Sequence, residues 1–148
     1  MNHLLQKQLE EYPMKKTHQR MLRNQLGKYR EDASLGYFRD LHPKDTDWLS
    51  EYMSKVERFN HEYFEHLSRL LLLLEDELKM LESSVEALPK DLRDVARALL
   101  LEDETWDSVG DRLHLSRTTL ARYRTRALEL LSAVYDRYEK EEVEWMLS

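Results

Sequence analysis

The 148-residue chain has no cysteine and only three glycines and three prolines. Without cysteine, disulfides and thiolate metal centres are excluded. So few glycines leave no room for a glycine-rich loop that cradles phosphates. Apolar runs are short as well. The longest, Leu70 to Leu74, falls far below the roughly 20 residues a membrane-crossing helix needs. No N-terminal signal segment is visible. These absences lead us to expect a soluble, cytoplasmic protein with no membrane partner.

Charged residues make up 35% of the chain, and Leu, Glu, Arg, Lys and Ala are abundant. These residues lose little rotamer freedom in a helix, so an all-α fold is expected. The length suits one domain or two small ones. Four blocks follow along the chain. Met1 to about Asp32 carries two helical patches split near Pro13, the second with Met21, Leu22, Leu26 and Tyr29 at helical spacing. A connector from Ala33 to about Asp47 holds Gly36 and Pro43, with Tyr37, Phe38 and Leu41 as anchors and Asp45 or Thr46 as a helix start.

The third block, Asp47 to Leu88, lacks glycine and proline throughout. Its first half shows a broad apolar face of Leu49, Tyr52, Met53, Val56, Phe59, Tyr63 and Phe64. Its second half keeps a seven-residue repeat. Leu67, Leu74, Leu81 and Leu88 occupy one position, and Leu71, Leu78 and Val85 the other. A helix about 60 Å long, at 1.5 Å per residue, cannot bury such a stripe inside a small monomer unless it folds back. The seam Leu67, Leu71, Leu74, Leu78, Leu81 and Val85 is therefore expected to join copies into a homo-oligomer, a dimer or higher. Packing against the first block is the alternative. The organisation expected is N-terminal helices and an oligomerisation region over 1–88, followed by a three-helix module with an extended last helix over 89–148.

That last module carries the chemistry. Leu88-Pro89-Lys90-Asp91 ends the long helix and starts another, whose inner face is Leu92, Val95, Ala96, Leu99 and Leu100. Glu102-Asp103-Glu104 makes a loop. From Thr105 to Arg124 the pattern is that of a helix-turn-helix. Val109 and Leu113 face the core, Gly110 permits close approach of the second helix, and Leu115 fills the turn. Ser116 caps the second helix by accepting from the N–H of Thr118 or Thr119, and Leu120 and Tyr123 hold that helix inward. Outward lie Arg117, Thr118, Ala121, Arg122, Thr125 and Arg126, with Arg124 beside them. A helix that starts with a cap and presents a basic face suits a DNA major groove. His114 stands where glycine is usual, so the turn either carries strain or takes another shape. A plain helical hairpin would share this pattern. The helix continues through Leu128, Leu131, Val134, Tyr135 and Tyr138, and Trp145, Met146 and Leu147 are expected to dock somewhere.

The net charge is −6, but the charges are segregated. Lys15, Lys16, Arg20, Arg23, Lys28 and Arg30 form an acid-free run, readable either as a second basic patch or as a solvated helix face. Residues 51–86 and the tail from Glu129 are acidic. Phosphate contact is local, because the Debye length is about 8 Å in cells.

The order Leu-Pro, helix, acidic loop, Trp-Asp-x-Val-Gly-x-x-Leu-x-Leu-Ser-Arg-x-Thr-Leu-x-Arg-Tyr-Arg resembles the sigma-factor region 4 type of helix-turn-helix. With a basic Leu-Gly-Lys-Tyr-Arg segment upstream and a leucine-rich middle, the chain is similar to the ArpU/RinA-type regulators of phage late genes. The likeness is motif-level over 88–135 and architectural over 1–87. Gly110 and His114 depart from the commoner alanine and glycine. The resemblance implies a sequence-specific transcriptional regulator encoded by a phage or prophage. Its partners would be double-stranded DNA in the nucleoid and RNA polymerase, and its DNA contacts would fall on Arg117, Thr118, Ala121 and Arg122. Two alternatives share the motif: a small terminase-like DNA-packaging subunit, and a protein-interaction module acting on RNA polymerase without DNA.

Nothing points to an enzyme. His61 and His66 are five residues apart, roughly 140° around a helix, so they do not share a metal as histidines four apart do. His61 and Glu65 can form one i,i+4 pair. Neither a nucleophile elbow nor a Ser/His/Asp set is present. No cofactor, metal or catalytic residue is expected.

Overall fold

The computed structural model describes the backbone of residues 1–31 and 47–148, and side chains for 1–27, 55 and 57–148. All regular structure among these residues is helical: α1 (His3–Glu31), α2 (Asp47–Glu86), α3 (Lys90–Ala96), α4 (Trp106–Leu113) and α5 (Arg117–Leu147). The all-α expectation holds. A π-helical turn, Arg97–Leu101, continues α3. The connector anchors Tyr37, Phe38 and Leu41, and Leu49, Tyr52, Met53 and Val56, lie outside the described side chains. Two compact units are formed, one of Met1–Lys15 with Glu77–Ser148 and one of Lys16–Asp76. The partition runs through α1 and α2 rather than falling between Leu88 and Pro89.

The first unit holds the start of α1, the end of α2 and helices α3 to α5. Leu5, Leu78, Leu81, Val85, Val95, Ala127, Leu131 and Tyr135 are all buried there. Asn2 starts α1 as its cap, accepting the Leu5 N–H at 3.0 Å. Its amide donates to Asp136 on α5 at 2.6 Å, while its backbone N–H lies 3.4 Å from Ser132 Oγ. The buried Tyr135 hydroxyl donates to the Gln8 carbonyl oxygen, so two polar groups removed from water satisfy each other. Lys15 on α1 pairs with Glu77 on α2 at 2.7 Å and with Glu11 at 3.0 Å. In the second unit Leu22, Leu67 and Leu74 are buried, and Arg23 on α1 meets Glu75 on α2 at 2.8 Å.

Two expectations are corrected together. The split at Pro13 does not occur, because α1 runs through it as one helix of 29 residues. An internal proline removes one backbone bond and crowds the preceding turn. Tyr12 before it, and Gln19 and Leu22 after it, are nevertheless buried, and this packing outweighs the local cost. The heptad seam is corrected for the same reason. Leu67, Leu74, Leu78, Leu81 and Val85 are buried within a single chain, and Leu71 is partly buried. A continuous α1, about 43 Å long at 1.5 Å per residue, is long enough to lie beside that stripe. The seam thus serves the chain's own fold, which was the alternative reading. Among its described side chains, the large apolar ones that α2 leaves exposed are Phe59, Tyr63, Leu70, Leu72 and Leu73.

Trp145, Met146 and Leu147 are 77%, 71% and 83% exposed, so they dock on none of the described residues. No helix among the described residues is long and apolar enough to cross a membrane.

Candidate nucleic-acid interface

Helix α3, its π-helical turn, α4 and the start of α5 enclose a small core of Val95, Ala98, Val109 and Leu120. Leu99, Trp106, Leu113, Leu115 and Tyr123 pack around it. The backbone reaches α4 through two wide turns. Glu102 N–H donates to Arg97 O at 2.9 Å, and Glu104 N–H to Ala98 O at 3.0 Å. Thr105 then caps α4, its hydroxyl accepting from Ser108 N–H at 3.2 Å.

Gly110 and His114 set the turn. A Cβ on Gly110 would stand 3.0 Å from Leu115 O and 3.4 Å from Leu120 Cδ1. That space is what lets the turn and the second helix lie against α4. His114 takes the left-handed conformation, φ 57° and ψ 44°. The missing glycine therefore changes the strain at this position and leaves the turn's shape intact. Leu115 N–H donates to Gly110 O at 3.0 Å, closing the first helix. Ser116 starts the next, accepting from Thr119 N–H at 3.2 Å, as its spacing predicts, and donating to Thr119 Oγ1 at 2.9 Å.

The division of faces follows the sequence pattern. Val109 and Leu120 are fully buried, and Leu113 and Tyr123 are partly so. Ser116, Arg117, Thr118, Ala121, Arg122, Thr125 and Arg126 are all exposed, and Arg124 is half-buried. The four arginines differ in their surroundings. Arg117 lies over the Trp106 ring, 5.5 Å from its centroid. Arg126 pairs with Glu129 at 3.1 Å. Arg122 and Arg124 make no ion pair among the described residues. Arg112, at the end of α4, is taken by Glu104. The sequence pattern did not reveal the Trp106–Arg117 stack. The two residues are eleven positions apart and meet only because the turn returns α5 across the start of α4.

The run from Lys15 to Arg30 looks different in place. Lys15 is held by Glu77 and Glu11, and Arg23 by Glu75. Burial lowers the Lys15 pKa, but bonding to Glu77 and Glu11 outweighs it, and the net shift is upward. Lys15 and Arg23 thus have intramolecular acids. Arg20 is exposed, and the side chains of Lys28 and Arg30 lie outside the described residues. His61 pairs with Glu65 at 3.2 Å, the i,i+4 contact expected, and no cluster of metal-ligating side chains occurs among the described residues.

No family model matches the chain, and no curated protein or solved structure is found to match it.

Proposed function

We propose that this chain is a sequence-specific DNA-binding protein that regulates transcription, with α5 as the helix that enters the major groove. One observation carries the reading. From Arg117 to Leu128 the capped helix has no acid, and its exposed face is Arg117, Thr118, Ala121, Arg122, Thr125 and Arg126. The opposite face is held by a dedicated core. Arg117 and Arg122 offer planar N–H forks to base edges, most naturally guanine, while Arg124 and Arg126 meet phosphates. Ser116 exposes the first N–H groups of α5, a position that favours a phosphate.

The likeness to ArpU/RinA-type regulators extends the proposal to control of phage or prophage late genes, with RNA polymerase as a further partner in the bacterial nucleoid. A homo-oligomer belongs to the proposal too, but not through the seam from Leu67 to Val85, which the chain itself covers. A packaging-subunit reading shares the same face and has no observation of its own in its favour.

Selection of duplexes from a random pool, repeated at two salt concentrations, tests this reading. A single enriched site with affinity falling at the higher salt is expected. Arg122→Ala should lose about 1–3 kcal/mol of binding to that site with an unchanged melting curve. Unchanged affinity in this variant, or no enrichment by the native chain, would sink the assignment.

A further inference from the structure

Arg117 is the first residue of α5. A cation is electrostatically disfavoured there, since the helix N-terminus carries the positive end of the dipole. Helix stability therefore gives no reason for an arginine at this position. What holds it lies on another element. Trp106 opens α4 behind the Thr105 cap, is half-buried, and packs against the core of Val95, Ala98, Val109 and Leu120. Its ring lies under the Arg117 guanidinium at 5.5 Å from the centroid, within the range of a cation–π contact.

We propose that Trp106 is a positioning residue that fixes Arg117 as the specificity-determining side chain, selecting duplexes with a guanine at the base pair facing the start of α5. The inference rests on the DNA-binding reading above and deepens it. A guanidinium held over a ring has that side covered by the ring, while its N–H groups remain free to meet acceptors elsewhere. Guanine presents O6 and N7 together in the major groove, and two coplanar acceptors match that fork. A phosphate contact needs no held orientation, so a ring that limits the guanidinium's freedom fits a base reader better than a backbone contact. Arg122 has no ring beneath it among the described residues and lies nearly one and a half turns further along α5. Of the two base-reading arginines, Arg117 is thus the one whose orientation is set before DNA arrives. Lysine cannot replace it, having a point charge in place of the fork.

The test uses the full chain and the duplex that it enriches, together with that duplex changed at each base pair in turn. Native protein, Trp106→Phe, Trp106→Leu and Arg117→Lys are compared after a cooperative melt has been verified for each. Arg117→Lys and Trp106→Leu should lose a guanine preference of roughly fivefold or more at one base pair. Preferences elsewhere and the slope of affinity against salt should not move for Trp106→Leu, and Trp106→Phe should keep most of the native preference. Combining Trp106→Leu with Arg117→Lys should lose no more at that base pair than Arg117→Lys alone.

Equal loss across all base pairs in Trp106→Leu would make Trp106 a merely structural residue and overturn the proposal. Because Arg117 is exposed, Arg117→Lys tests the inference even if Trp106→Leu does not fold, and a native base preference in that variant overturns it. A native chain that enriches a site insensitive to both residues refutes this inference while leaving DNA binding intact. A native chain that enriches nothing refutes both.

Discussion

His114 provides a direct test of the turn that aims α5. It holds φ 57° and ψ 44° with its side chain exposed, so replacing it removes no buried contact. A residue with a Cβ pays about 1–2 kcal/mol for the left-handed conformation, and histidine lies at the lower end because it visits this region more readily than most residues. Glycine avoids that term but adds roughly 0.5–1 kcal/mol of chain entropy to the unfolded state. The two effects nearly offset, leaving His114→Gly more stable by about 0.5 kcal/mol, or about 1–2 °C in midpoint for a chain of this size. His114→Val supplies the contrast. A β-branched residue is a genuine outlier at positive φ, so Val should fall below the native chain by about 1–2 kcal/mol. Urea unfolding followed by circular dichroism reads the series, and a constant slope against urea shows that only stability has changed. If the Gly and Val variants unfold at the same urea concentration, His114 is not left-handed in solution and the account of the turn fails.

Two further outcomes follow from the core. Leu81 is 1% exposed, so Leu81→Ala should cost about 2–5 kcal/mol without altering the molar mass measured by light scattering while folded. Dissociation without loss of stability would return the seam to a role between chains. Alkaline unfolding should be steep. The Tyr135 hydroxyl is raised from 10.0 to about 12 by burial, and Tyr12 rises to about 12 through burial and the nearby Glu82 and Glu102 carboxylates. Both are raised in the folded state, so their stabilisation is intact below pH 10 and is lost as pH climbs from there to about 12. Lys15, also raised, acts in the same direction. A stability curve flat over that window would refute the burial assigned to the two tyrosines.

The legible parts of this chain were those decided by local chemistry. Ser116 is legible as a cap because a serine before a helical run can accept from an amide three residues on, and Thr119 N–H does donate to it. Gly110 was legible because a short turn between crossing helices leaves no room for a Cβ, and Leu115 O stands 3.0 Å from where one would be. Pro13 misled because a local rule met a tertiary one. Proline weakens a helix interior, but packing of Tyr12, Gln19 and Leu22 keeps α1 whole. A helix broken at Pro13 leaves the leucine seam of α2 with nothing in its own chain to cover it, and the repeat by itself then points to an oligomer. The Trp106–Arg117 stack was illegible for a different reason. No periodicity marks it, since the contact depends on how a three-residue turn returns one helix across another.

An acidic chain can offer a basic face only if its other cations are answered near where they lie, and the ion pairs show how this is achieved. Lys15 is paired with Glu77, Arg23 with Glu75, Arg97 with Glu86, Arg112 with Glu104, and Arg137 with Glu141. Each of these pairs draws its acid from the surplus that makes the net charge −6. From Arg117 to Leu128 there is no acid to do the same, and Glu129 reaches back only to Arg126. Since screening confines such fields to about 8 Å, a polyanion approaching any paired region meets little net attraction or meets acid. Approaching the start of α5, it meets Arg117 and Arg122, neither of which makes an ion pair among the described residues. The negative total therefore does not oppose the proposed function. Around the paired cations it lowers the affinity of the described surface for a phosphate backbone, which would favour the start of α5 as the face that a duplex meets.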